Sequence, residues 1–163
     1  LYGIIGAAMG VVGFTFWFWA AQRSMIRSLS LFEDLVYGAA VGKLPWGKLL
    51  GLGVLSMVLL TAVMTVAGNR IGGRKREWME AIAFHGGAQA WFGAAFAVTG
   101  VIGLWLWKPS LLIMLALLLL NLALLLARSI ELHEVEGGRL FAFLGTVMGI
   151  YAAVVGIAAA LSF

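Results

Sequence analysis

Apolar residues run along this chain in blocks too long for the one-sided helices or strands of a water-soluble domain. Five stretches, at roughly 1–21, 49–68, 81–107, 111–128 and 140–163, are long enough to cross a bilayer, which takes about 20 helical residues. Helix is the only state that suits them, because an open sheet edge in hydrocarbon leaves backbone N–H and C=O groups unpaired. The pattern predicts an all-α integral membrane protein with five transmembrane helices in one membrane domain over 1–163. The first stretch lacks a basic leader and ends in "TFWFWAAQR", an aromatic belt followed by charge, which suits a retained span better than a signal peptide. The chain begins at Leu1 rather than methionine, so a preceding segment is expected to be missing or processed away.

The connections between these blocks differ. "WKPSL" joins the third and fourth spans in a tight turn, with Pro109 suited to a first helical position. The link between the first and second spans is long. In it Met25, Leu29, Phe32 and Val36 recur at helical spacing, while Arg23, Arg27, Ser30, Glu33 and Asp34 lie elsewhere around the helix. That arrangement predicts an amphipathic helix in the membrane interface over about 24–41. The alternative is a sixth, partly buried element packed against the bundle.

Composition sharpens this picture. The chain is 63% hydrophobic and 11% charged, with a mean hydropathy of +1.05. Soluble domains carry about 25% charge, so too little is present here to cover a water-exposed surface. Cysteine is absent, which removes disulfides, thiolate metal sites and cysteine nucleophiles. The net charge of +4 reads as loops facing anionic lipid head groups rather than as a nucleic-acid surface. Lys and Arg divide almost evenly between the two sets of links, but "RKR", Arg74 to Arg76, is concentrated beside two spans. Density therefore places the second and fourth links in the cytoplasm, with the amino terminus inside and the carboxyl terminus outside.

Few residues could carry chemistry. Gly3, Gly6, Gly10 and Gly13 form a stripe on the first span, and Gly145, Gly149 and Gly156 form another on the last. Such spacing lets helix backbones approach closely, within one subunit or against a partner. Asn121 is the one polar interruption of "LLIMLALLLLNLALLLAR" and is expected to hydrogen-bond a neighbouring helix. Glu131, His133, Glu134 and Glu136 are metal-ligand types, but His133 points away from the face shared by Glu131 and Glu134. A solvated loop is the expectation there, with no metal and no cofactor. His85 is expected at the membrane interface.

The polar island "GNRIGGRKREWMEAIAFHGG" lacks the spacing of a phosphate-binding loop and has no paired nucleophile and base. Its Arg74, Lys75, Arg76 and Trp78 suit lipid phosphates and an interfacial anchor, or a partner contact. Across the spans, Thr61, Thr65, Gln89, Thr99 and Asn121 are the polar candidates, and no buried acid is available to carry protons. An enzyme or a proton-driven transporter is not expected from such a set.

A span closing on a glycine pair, a short basic link, an aromatic and then an acid resembles the bacterial branch of the Yip membrane family, relatives of the Ypt/Rab-interacting proteins. Gly72, Gly73, Trp78 and Glu80 carry that resemblance, and "LARSIELHEVEGGRLFAFLG" is similar to the family's short acidic link before its last span. The chain departs from the family at "HGGAQAWFG", where an early proline is common. The resemblance implies a non-enzymatic protein of the bacterial cytoplasmic membrane, a companion of ABC-type exporters or of membrane-traffic machinery. The expected function is thus an accessory or scaffolding subunit, with membrane lipids and other integral membrane proteins as partners. The alternatives are a self-sufficient small-solute or lipid transporter using His85 and Gln89, and a lipid organiser anchored by Arg74, Lys75 and Arg76.

Overall fold

In the computed structural model of the protein, residues 1–36 and 46–162 are described. They form α1 (Tyr2–Val36), α2 (Trp46–Ile71), α3 (Trp78–Gly103), α4 (Trp107–Leu132) and α5 (Arg139–Ser162). The 26-residue α2, α3 and α4 are each about 39 Å long, more than the hydrocarbon core of a bilayer requires. Four helices, α1, α2, α4 and α5, contain segments long and apolar enough to cross a membrane. The fold is all-helical, as the hydrophobic blocks predict. The helix outside that set is α3, which carries Glu80 in its first turn and His85, Gln89 and several glycines further along.

Helix ends follow local chemistry. The chain leaves α3 at Gly103 rather than near 107, and Leu104, Trp105 and Leu106 turn back onto the last carbonyls of α3. Pro109 then falls in the first turn of α4, where its missing N–H leaves no helical hydrogen bond unmade. At the other end of the chain, α1 continues without a break through the segment expected to start a separate interfacial helix. Between Gly13 and Val36 there is no glycine or proline to end it. The part of that expectation at 37–41 lies outside the described residues.

The helices alternate in direction and sort into two units. In the first, α1 runs parallel to α3, and α4 runs antiparallel to both. Its core is aromatic, with Trp17 of α1, Phe92 and Phe96 of α3 and Met114 of α4 buried together. In the second, α2 and α5 pack antiparallel. Leu60, Val63, Met64 and Ala67 of α2 meet Phe143 and Val147 of α5, and Leu125 of α4 ties this cluster to the first unit.

The α1–α3 seam rests on glycine. A methyl group at Gly6 would strike the Gly86 carbonyl, one at Gly13 the Gly93 carbonyl, and one at Gly3 the Ile82 carbonyl. The spacing of Gly86, Gly93 and Gly100 answers the stripe on α1, so the two backbones approach far closer than ordinary side chains allow.

Candidate functional site

Polar chemistry gathers in three places, and each is set by a local feature of the chain. The first is the end of the bundle where the links 72–77 and 133–138 meet. Gly73 N–H donates to the Glu134 carbonyl at 3.3 Å and Arg74 N–H to the His133 carbonyl at 3.1 Å. Asn69 closes the same link from α2. Its Nδ2 donates to the Arg76 carbonyl at 2.9 Å, and its Oδ1 accepts from Arg76 N–H at 2.8 Å. Arg76 also donates through Nε to the Leu132 carbonyl at 3.1 Å and pairs with Glu80 at 2.6 Å. Arg74 pairs with Glu134 at 3.2 Å across the links, both side chains being exposed.

Here the basic island serves first as a clasp. Lys75 and Trp78 remain exposed, whereas Arg76 is partly buried. Gly137 takes a left-handed φ of 57°, which lets the second link turn into α5 at no steric cost.

His133 occupies a place the sequence does not suggest. Its ring is 0% exposed and lies directly over Gly68, while a side chain at Gly72 would strike its carbonyl. The ring Nδ1 donates to the Ser129 carbonyl at 2.9 Å. His85 is likewise buried within the protein, at 1% exposure. Both its ring nitrogens, His133 Nε2 and the Ser129 hydroxyl are buried without a protein partner. Glu131, Glu134 and Glu136 stay exposed, and among the described residues no group of three such ligands could hold a metal ion.

The second place is a polar seam through the three-helix unit. Asn121 finds Gln89 of α3. Gln89 Nε2 donates to Asn121 Oδ1 at 2.7 Å, and Asn121 Nδ2 returns a bond to Gln89 Oε1 at 3.3 Å. Gly10 makes room for the Gln89 side chain, whose Oε1 would sit 3.0 Å from a methyl group there. Nearer the α3–α4 turn, Trp17 Nε1 donates to Ser110 Oγ at 2.7 Å, and Ser110 donates to the Thr99 carbonyl at 3.1 Å.

The third is a cleft of about 490 Å³ between the two units. Phe14 and Phe18 of α1, Leu52 of α2, Leu118 and Leu122 of α4 and Val155 of α5 are among the side chains that make it apolar. Polar atoms enter its wall at two points, the Gln89–Asn121 pair and the Ser56–Tyr151 hydroxyl pair, whose oxygens are 2.5 Å apart. Leu55 and Leu119 at its rim are exposed, whereas Leu60, Phe96 and Leu125 inside are buried. Volume and lining fall in the range of small-molecule pockets.

The glycine stripes end in different surroundings. Those of α1 are consumed by α3, but a side chain at Gly145, Gly149 or Gly156 would meet nothing within 4 Å. Sequence reasoning missed the Ser56–Tyr151 pair, the Trp17–Ser110 bond and the seat of His133. A lone polar residue inside an apolar run was the available signal for the first two. No protein-family model matches the chain, and no curated protein or solved structure matches it either.

Proposed function

We propose that this chain is a non-catalytic accessory subunit of a membrane protein complex and that α5 carries the surface its partner covers. The observation that supports this reading is the open face of α5. Only 11% of its spanning window is buried inside the protein, against 39% for α1, and its three glycines face empty space. Small residues at a membrane-helix surface suit close backbone contact with another helix, since lipid itself gains nothing from them.

In this reading α3 is the fifth span. Its inner face is polar and glycine-rich because it is sandwiched between α1 and α4, while Trp91, Val98 and Val101 form an exposed apolar face on the other side. Trp91 is 82% exposed, which suits lipid and not water. The clasped links and the helix ends beside them carry Arg70, Arg74, Lys75, Arg76 and Arg139 and face the cytoplasm, with the amino terminus on that side. The Yip-type pattern at Gly72, Gly73, Trp78 and Glu80 agrees with such a role, as a companion of an exporter or of traffic machinery in a bacterial cytoplasmic membrane.

Purification of the full chain from native membranes in mild detergent, with photo-crosslinkers placed at the exposed Ile150 and Ile157 beside the glycines, tests the proposal. Stoichiometric recovery of another multi-span chain, crosslinked at α5, is expected. Recovery of the chain alone, uncrosslinked at α5, contradicts it.

A further inference from the structure

The cleft between the α2–α5 and α1–α3–α4 units has the features of a ligand site, and its polar atoms restrict what can enter. We propose that it binds a neutral, membrane-dissolved molecule with an apolar body and a hydrogen-bonding carbonyl oxygen, held by the amide pair Gln89–Asn121. The apolar wall selects the body. Phe14, Phe18, Leu118 and Leu122 offer only dispersion contacts, and the exposed Leu55 and Leu119 make the rim apolar as well.

The amides select the oxygen. Each side-chain amide has two N–H donors and an oxygen that accepts twice. Their mutual pairing uses one donor and one acceptance on each side, so each retains a further N–H. Both side chains are buried, Gln89 to 1% and Asn121 to 9% exposure, and both line the cleft. A ligand carbonyl is the complement to such donors, and a hydrocarbon tail alone leaves them unused.

Depth excludes charge and ordinary phospholipids. Gln89 lies about 16 Å from the start of α3, and Asn121 about 21 Å from the start of α4. Both are therefore near the middle of a hydrocarbon core about 30 Å thick. The ester oxygens of a phospholipid sit at the interface, and drawing them to this depth would pull a charged head group with them. A neutral quinone-like compound meets no such cost.

The inference is independent of the accessory-subunit reading, since it needs no partner chain. It is tested on the full chain in lipid nanodiscs with two photoactivatable probes. One is a decyl-benzoquinone with a diazirine on its tail, and the other a phosphatidylcholine with a diazirine midway along one acyl chain. The quinone probe is expected to label cleft residues saturably. Labelling should be about tenfold weaker in the paired variant Gln89→Leu/Asn121→Leu, which keeps the wall filled but removes the donors. Leu118→Trp and Leu122→Phe, which fill the cleft and leave the amides in place, should abolish it. Undiminished quinone labelling in either set of variants overturns the proposal. So does saturable labelling of the same residues by the phosphatidylcholine probe, or failure of the quinone probe to saturate.

Discussion

At the level of single residues, the buried amides decide the most. Gln89 and Asn121 pair with each other where both are buried, so losing one strands the paired atoms of the other. Gln89→Leu alone should lower unfolding free energy by about 1–3 kcal/mol, whereas Gln89→Leu combined with Asn121→Leu should cost less than the sum of the two. Thermal or denaturant unfolding of the four proteins of that cycle in one detergent measures it, and strict additivity would show that the amides act separately. The clasp gives a second case. Asn69→Ala removes two hydrogen bonds that hold Arg76 in place and should cost about 1–3 kcal/mol by the same measurement. An unchanged midpoint would mean that the links are held by their backbone bonds alone. Asn121 was legible in the sequence because a lone amide in leucine must find a partner. Its partner was not, because Gln89 sits in a segment already rich in polar and small residues.

At the level of helices, the two glycine stripes look alike in sequence and differ in the fold. Gly6→Val and Gly93→Val force a side chain into an opposing backbone and should destabilise by about 1–3 kcal/mol or more, since a backbone cannot step aside as a side chain can. Gly149→Val enters open space and should leave the melting of the isolated chain nearly unchanged. Equal effects at Gly6 and Gly149 would show that α5 is packed within the chain after all. Helix positions were legible because apolar blocks of this length permit little else. The end of α1 was not: an amphipathic pattern beginning near residue 24 does not reveal whether the helix bends there, and only a glycine or proline would have marked a break. Nor did the sequence reveal the burial of His133. Its neighbours Glu131, Glu134 and Glu136 point to water, but Gly68 on α2 leaves room for the imidazole ring, and Gly72 just beyond α2 leaves room for its backbone carbonyl.

At the level of the whole molecule, the clasp joins the two units at one end while the cleft separates them along part of their length. If α3 spans the membrane with the others, single cysteines at Lys75 and Lys108 must label from opposite sides. Labelling of both from one side would remove α3 from the membrane and with it the proposed topology. The central claim is that α5 is an interface, and its most direct measurement is quantitative co-purification of the wild-type chain and Gly149→Val from native membranes in mild detergent. A second multi-span chain should accompany the wild type at fixed stoichiometry and be lost from a Gly149→Val variant that melts normally. Co-purification that is absent from the wild type, or unaltered in that variant, would contradict the claim.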